Sequence, residues 1–213
     1  MNKNISINLI LSVILSVLLS GCGGNFLSHK YNTAIFNEQH KAVAVLKISV
    51  PGKYTEIPTS FVLVKLNDNY NDPNKREAYS INANAWFPEN YSDKVAMISP
   101  GLYYIDYITW VTISYPYTTT HYTAVPGISK KGIIVYGAFE VKPGDVAYVG
   151  NLILKKNGVD FNLEKINELE QVKKDLIKNK QNDLSAKIKE IKFYNRGSIV
   201  HRNANGSFII KNN

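Results

Sequence analysis

Four histidines are the first candidates for chemistry in this sequence, because imidazole is both a common metal ligand and a general base near neutral pH. They are His29, His40, His121 and His201, and they are scattered along the 213 residues. None forms a His-x-x-x-His or His-Glu-x-x-His motif, in which a helix brings two imidazoles onto one face. A zinc site would require a convergence that these spacings do not indicate. We therefore predict no metal and no other cofactor.

Ser129 is the serine closest to a hydrolase motif, which has the form Gly-x-Ser-x-Gly. Its segment, Gly127-Ile128-Ser129-Lys130-Lys131-Gly132, lacks the glycine two residues after the serine. The two glycines also have phosphate-loop spacing, but Ile133-Ile134 stands where Lys-[Ser/Thr] is required. No separated pair of acidic residues stands out as a general acid and base. We predict no catalytic residue and no enzyme; a hydrolase that uses His121, Ser129 and Asp145 is the less favoured alternative.

The segment Asn67–Asp72 is dense in side-chain oxygens, as calcium-binding loops are. It lacks their order of acid, amide and glycine, and the twelfth position holds Ala78 instead of a bidentate glutamate. Asn and Asp are also common turn residues. We therefore predict a polar turn over Asn67–Arg76 and no calcium site.

Seven aromatic residues fall within 20 positions, and Trp and Tyr can stack on sugar rings or anchor a protein partner. They are Tyr103, Tyr104, Tyr107, Trp110, Tyr115, Tyr117 and Tyr122. On a regular strand, Tyr103, Tyr107 and Tyr115 share one face, while Tyr104 and Trp110 share the other. Tyr is also a good strand former, so we favour a sheet core over a binding surface for this cluster.

The elements that would position these residues are mostly strands. Apolar runs rich in Val, Ile, Tyr and Phe occur at Ala42–Val50, Phe61–Leu66, Val95–Ile98, Leu102–Ile113, Ile133–Val141 and Val146–Leu154, with a weaker strand in Glu77–Phe87. Pro-Gly pairs follow at Pro51-Gly52, Pro100-Gly101, Pro126-Gly127 and Pro143-Gly144, a pattern typical of type II turns. These turns favour an antiparallel sheet over βαβ units.

Beyond Asp160 the pattern becomes helical. Leu163, Ile166, Leu169, Val172 and Leu176 lie three or four residues apart, which predicts one amphipathic helix. Leu184, Ile188 and Ile191 predict a second, shorter helix. Ser198–Arg202 and Ser207–Lys211 then flank an Asn-Gly turn, which predicts a terminal hairpin.

The N-terminal 22 residues carry the most specific signal. Lys3 is followed by an apolar run of 11 residues, Leu9–Leu19, which suits a signal peptide and is shorter than the roughly 20 residues of a membrane span. The run ends in Leu19-Ser20-Gly21-Cys22, and Cys22 is the only cysteine of the chain. This segment resembles the lipobox of bacterial lipoproteins, Leu-[small]-[Gly/Ala]-Cys.

The resemblance implies a fate for Cys22. In that family the thiol receives a diacylglyceryl group and a dedicated peptidase cuts before the cysteine. Two or three acyl chains anchor a protein firmly where one alone is marginal. Gly23 in place of Asp implies sorting to the outer membrane of a Gram-negative envelope. We expect the chain on its periplasmic face, with the cell surface as the alternative.

A weaker resemblance covers the middle of the chain. Ser99-Pro100-Gly101-Leu102-Tyr103-Tyr104 and Phe139–Leu152 are similar to two strand pairs of prealbumin-like β-sandwiches, which also occur in small bacterial lipoproteins of unknown function. The similarity implies a fold and no catalytic residue. We predict a mainly β chain: an antiparallel, prealbumin- or Ig-like β-sandwich with C-terminal α-helices and a terminal β-hairpin.

Positive charge is concentrated at the C-terminal end. The chain has 25 Lys and Arg against 17 Asp and Glu, and residues 155–213 contain 13 of the former and 7 of the latter. Export, as the lipobox implies, removes nucleic acid as a partner. The membrane, an envelope protein or a glycan is then the expected partner, and a solvated helix face is the simpler explanation of the charge.

These observations predict four segments: a cleaved signal peptide (1–21), a tether (22–38), a β-sandwich (39–158), and a helical appendage with a terminal hairpin (159–213). The predicted function is that of a lipid-anchored, non-enzymatic binding or structural module of the bacterial envelope. A glycan- or anionic-lipid-binding module is the alternative. The single cysteine also excludes an internal disulfide.

Overall fold

The structure is a computed structural model in which three helices and fifteen strands are described. The described residues are 31–49, 56–82, 95–114, 117–124, 127–129, 132–135, 137–157, 160–195, 198–204 and 206–211. The helices are α1 (Thr33–Glu38), α2 (Leu169–Lys178) and α3 (Asn182–Lys187). The strands are β1 (Ala42–Ser49), β2 (Glu56–Lys65), β3 (Ala78–Asn82), β4 (Val95–Ile98), β5 (Gly101–Ser114), β6 (Tyr117–Ala124), β7 (Gly127–Ser129), β8 (Gly132–Val135), β9 (Ala138–Val141), β10 (Val146–Asn157), β11 (Asp160–Ile166), β12 (Lys189–Glu190), β13 (Phe193–Tyr194), β14 (Ser198–Arg202) and β15 (Phe208–Lys211).

The first sheet has the strand order β11-β10-β1-β4, with the short β12 also paired to β10. β1 is antiparallel to β4 but parallel to β10, where Val43 pairs with Val146. The expectation of a purely antiparallel sheet is therefore wrong for β1–β10 and for β10–β12. Parallel neighbouring strands need a long crossover connection. Here that connection contains most of the strands of the other two sheets, β2 to β9 apart from β4.

The second sheet has the order β13-β9-β5-β2-β3, and β6 forms a hairpin with β5. The third sheet has the order β15-β14-β8-β7. All pairings described in these two sheets are antiparallel, as the Pro-Gly turns predicted. The mainly β, antiparallel-rich character of the chain is thus confirmed.

The main core lies between the first and second sheets. Alternating residues of β1 (Ala42, Ala44, Leu46) point into it with Phe61 and Phe139 from the second sheet. The largest fully buried side chains of the protein include Tyr103, Phe61 and Phe139, all in this cluster. Burying each such side chain contributes on the order of 1.5–3 kcal/mol.

The helices cover the other face of the first sheet. Val43 and Val45 of β1 point away from the main core and pack in a second cluster with Val172 and Leu176 of α2. Both faces of β1 are therefore buried, which explains why Ala42–Leu46 is apolar without interruption. Phe36 of α1 is buried in the same cluster.

The third sheet covers the outer face of the second. Val135 of β8 is buried there with Val62 and Tyr104, and Phe208 of the terminal hairpin packs against the same cluster. The ring of Phe208 lies edge-on to Tyr70, with 5.9 Å between centroids. The predicted hairpin is confirmed: β14 pairs with β15. Its turn is closed by a hydrogen bond from the Gly206 N–H to the Asn203 carbonyl, 2.8 Å long.

The helix predicted from Asp160 begins later than expected. Asp160–Ile166 is the strand β11, paired antiparallel with β10, and α2 starts at Leu169. Leu163 is buried in the main core while Ile166 is 42% exposed, so the two do not share a helical stripe. A spacing of three residues is only weakly helical. In the structure this segment instead pairs with the open edge of β10. The helical part of the prediction holds for Leu169, Val172 and Leu176. The second predicted stripe, Leu184, Ile188 and Ile191, is helical only at Leu184, because α3 ends at Lys187 and Lys189–Glu190 is the strand β12.

The predicted tether also contains structure. α1 lies within residues 22–38, and the side chain of Asn32 caps it by accepting hydrogen bonds from the N–H groups of Ala34 (3.0 Å) and Ile35 (3.2 Å). The polar turn predicted over Asn67–Arg76 is found between β2 and β3. The turn at Pro143-Gly144 is also found, with a hydrogen bond of 3.0 Å from the Asp145 N–H to the Lys142 carbonyl and φ +76° at Gly144. Pro51-Gly52 and Pro126 lie outside the described residues.

Candidate functional site

Several predicted site residues lie outside the described part of the chain. Cys22 and the whole lipobox belong to this group, as do His29 and Tyr115. Of His121, Ser129 and His201 only the backbone is described, in β6, β7 and β14. The lipidation of Cys22 therefore stays a prediction.

The hypothetical catalytic set His121, Ser129 and Asp145 comes from three different sheets. β6 belongs to the second sheet and β7 to the third, while Asp145 lies in the turn before β10 of the first. The Asp145 carboxylate is already engaged, 2.7 Å from Lys189 Nζ and 2.9 Å from the Lys142 N–H. Desolvation raises the pKa of Asp145, but the Lys189 and Lys142 interactions outweigh it, and the net pKa is lowered. A carboxylate held in this way stabilises its turn.

The aromatic cluster does not form one face. In the pairing of β5 with β2, Val62 is opposite Tyr107 and Leu63 opposite Ile105, so a bulge at Asp106 reverses the alternation. Tyr103 and Trp110 consequently point into the main core, while Tyr107 lies with Tyr104 on the opposite face, against the third sheet. The prediction that Tyr103 shares a face with Tyr107, and Tyr104 with Trp110, is wrong. Tyr103, Tyr104 and Trp110 are buried, as the core interpretation expected.

A cluster of polar side chains at one rim of the main core was not foreseen from the sequence. We call it the Glu77 cluster; its members are Lys41, Lys65, Glu77, Tyr79, Ser99 and Tyr103. Lys41 precedes β1, Lys65 ends β2, and Ser99 lies in the Pro100-Gly101 turn between β4 and β5. Glu77 and Tyr79 lie at the start of β3, so five strand ends meet at this rim, and only the three-dimensional pairing brings the six residues together.

The hydrogen bonds of the Glu77 cluster form a closed network. The Tyr79 hydroxyl donates to Glu77 Oε1 (2.8 Å) and accepts from the Ser99 N–H (3.2 Å). The Tyr103 hydroxyl donates to the Ser99 carbonyl (2.7 Å), and Lys41 Nζ donates to Ser99 Oγ (3.1 Å). Lys65 Nζ completes the network 3.2 Å from Glu77 Oε2.

The charges of the cluster argue against nucleophile activation at Ser99. Desolvation raises the pKa of Glu77, but hydrogen bonds from Ser99 and Tyr79 and the charge of Lys65 outweigh it and lower the pKa overall. A carboxylate with a lowered pKa is a weak base. Burial raises the pKa of Tyr103, so its phenol stays protonated and donates. The cluster is chemically suited to clamping the turn between β4 and β5.

We expect Glu77→Gln to lower the free energy of unfolding by about 1–3 kcal/mol at neutral pH, because Lys65 would lose its half-buried partner. The lowered pKa of Glu77 makes its stabilisation complete above its ordinary value of 4.5. That stabilisation disappears as the pH falls through the lower, folded value. Urea titrations between about pH 7 and pH 2 would measure both effects.

The same substitution at the exposed Glu140 of β9 serves as the control and should change stability by less than about 0.5 kcal/mol. If Glu77→Gln retains the full acid dependence of the unmodified protein, the role assigned to Glu77 is incorrect.

Two surface clefts lie near the C-terminal segment. One, of about 230 Å³, lies between the Lys142–Asp145 turn and residues 189–194. There the ammonium of Lys192 stands over the Tyr194 ring, 4.5 Å from its centroid. The other, of about 390 Å³, is lined by Asn167–Gln171 at the start of α2. Both are open to solvent, and the carboxylates of Asp145 in the first and Glu168 in the second are already bound by Lys189 and Asn151.

The predicted basic segment forms an exposed surface on α2 and the turn after it. Val172 and Leu176 face the first sheet, whereas Lys174, Lys178 and Lys180 are exposed. Ile177 lies among these lysines with 56% of its surface exposed. Within the described residues, no carboxylate forms an ion pair with any of these three lysines; the pair on this helix is Lys173–Glu170.

Among the described residues no group of three His, Cys, Asp or Glu side chains converges as metal ligands would. No helix in the described ranges has the length and apolar character needed to cross a membrane.

Comparisons with protein-family models, with curated proteins and with solved structures found no match for this chain.

Proposed function

We propose that this chain is a lipid-anchored lipoprotein of the bacterial envelope that acts as a non-enzymatic binding or structural module. One observation carries the proposal: the only cysteine ends the lipobox Leu19-Ser20-Gly21-Cys22, directly after an apolar run of signal-peptide length. Charge, run length, small residues and cysteine coincide within 22 residues. Gly23 favours the outer membrane by the same resemblance, and we propose the periplasmic face of that membrane, with the cell surface as the alternative.

The non-enzymatic role is supported by the state of the carboxylates that could have served as a general base, because each is already held by neighbouring groups. Asp145 is held by Lys189 and a backbone N–H, and Glu77 by Tyr79 and Lys65. The buried state of Tyr103, Tyr104 and Trp110 disfavours the alternative of a glycan platform on β5. The exposed lysines of α2 favour the alternative of binding to an anionic lipid.

For the fold, we propose a prealbumin-like β-sandwich. The two segments that carry the resemblance are adjacent: Gly101 pairs with Val141, and Tyr103 with Phe139. The parallel pairing of β1 with β10 and the third sheet would be additions to a simple antiparallel sandwich.

The lipid anchor is tested by metabolic labelling with an alkyne fatty acid in a Gram-negative host. The unmodified chain should incorporate the label and sediment with membranes, whereas Cys22→Ala should lose the label completely because it has no thiol to acylate. Ser20→Ala, which replaces one small residue with another, is the matched control and should keep the label. Undiminished labelling of Cys22→Ala would refute the proposal.

A further inference from the structure

We propose that the exposed face formed by α2 and the turn after it docks onto the anionic phospholipid surface in which the Cys22 lipid is inserted. The docking face consists of Lys174, Ile177, Lys178 and Lys180. This inference rests on the proposed lipid anchor and adds to it the face that the protein presents to the bilayer.

The path of the chain brings this face near the anchor. The Tyr31 hydroxyl donates a hydrogen bond of 2.5 Å to Asp183 of α3, and its ring lies 6.0 Å from that of Phe36. The ammonium of Lys187 stands over the Phe36 ring at 5.5 Å. The beginning of the described chain is therefore held against α3, at the same face of the first sheet as α2.

Chain lengths limit how far the docking face can lie from the lipid. Asp183 follows Lys180 by three residues, so their Cα atoms are at most about 11 Å apart. Tyr31 follows Cys22 by nine residues, a span of at most about 32 Å. The docking face lies close to Tyr31. Insertion of the Cys22 lipid into the bilayer therefore brings the docking face near the head groups, at a high effective concentration.

The composition of the docking face matches an anionic interface. Each lysine near such a surface strengthens binding, and the attraction fades within a Debye length. Ile177 supplies an apolar side chain that can enter the head-group boundary. Val172 and Leu176 are already buried, so docking requires no rearrangement of α2.

The test uses the full mature chain with Cys22→Ser, so that binding does not depend on the lipid. Co-sedimentation is measured with vesicles of phosphatidylcholine alone and with about one third phosphatidylglycerol, at low salt. The triple variant Lys174→Gln/Lys178→Gln/Lys180→Gln should weaken binding to the anionic vesicles at least about tenfold. Ile177→Ser should weaken it less, by about two- to fivefold.

The matched control is Lys75→Gln/Lys142→Gln/Lys155→Gln, which removes the same charge from exposed lysines elsewhere. It should bind nearly as well as the parent, and thermal unfolding should show that all variants are folded. Equal binding of the parent to neutral and anionic vesicles, or equal losses in the two triple variants, would overturn the proposal. The proposal would also be overturned if the Lys174/Lys178/Lys180 variant bound vesicles normally but was a monomer in analytical ultracentrifugation where the parent is a dimer. The docking face would then contact a second copy of the chain.

Failure of this proposal is separable from failure of the lipid anchor. If Cys22 incorporates the fatty acid but the lysine substitutions leave vesicle binding unchanged, the anchor stands and the docking face is wrong. If Cys22 is not labelled, the proposed function falls, whatever the vesicles show.

Discussion

Replacing Tyr103 with alanine is expected to lower the free energy of unfolding by about 3–5 kcal/mol, as for other large aromatic side chains removed from a core. Tyr103 is fully buried and lies nearly parallel to the Phe139 ring, with 5.9 Å between centroids and 20° between planes. Its removal would leave a cavity bounded by two paired strands, which have little freedom to collapse into it. Urea unfolding followed by circular dichroism would measure the loss.

Tyr103→Phe separates packing from hydrogen bonding at the same position. It retains the ring but leaves the Ser99 carbonyl without its 2.7 Å partner, so we expect a smaller loss of about 1–2 kcal/mol. If the two substitutions cost the same, the ring contributes nothing beyond its hydroxyl, and the assigned position of Tyr103 in the core is wrong.

Gly137→Ala is expected to destabilise the protein by about 2–4 kcal/mol, because it combines two penalties. Gly137 has φ +63°, a conformation that costs residues with a Cβ about 1 kcal/mol or more. A Cβ there would also lie 2.7 Å from Ile105 Cδ1 and 2.9 Å from Leu163 Cδ1, both in the main core. Thermal or urea unfolding of the purified variant would give the value.

Gly144→Ala is the matched control for this prediction. Gly144 also has a positive φ, +76°, but a Cβ at that position would meet no atom within 4 Å. Only the conformational penalty remains, so the expected loss is about 1 kcal/mol. Equal losses at the two glycines would show that the contacts with Ile105 and Leu163 are not close.

Local turn chemistry allowed parts of the fold to be predicted. The polar turn Asn67–Arg76, the Pro143-Gly144 turn and the terminal hairpin all depend on residues a few positions apart, and each is found. The apolar run Ile133–Val141 predicts one strand, and only its extended character is confirmed. It is divided at Gly137 into β8 and β9, which belong to different sheets, and the sequence did not indicate this division.

Features that depend on distant residues could not be predicted. The strand β11 forms because β10 offers an open edge, although the spacing of Leu163 and Ile166 also fits a helix. The bulge at Asp106 changes which face Tyr107 occupies, and a single inserted position leaves no pattern in the sequence. The Glu77 cluster could not be predicted for the same reason, because its members are distant in the sequence: Lys41 and Ser99 are 58 positions apart.

The parallel pairing of β1 with β10 affects the order in which the chain can fold. Val43 can pair with Val146 only after 103 further residues have reached the compartment in which the chain folds, so β1 arrives there well before its partner. During that interval β1 offers an apolar strand whose two faces are both unprotected, a surface that promotes aggregation. Forming such a distant contact also requires a large loop to close, which slows folding. We therefore expect a chain truncated before residue 146, which lacks β10, to aggregate more readily than the full chain.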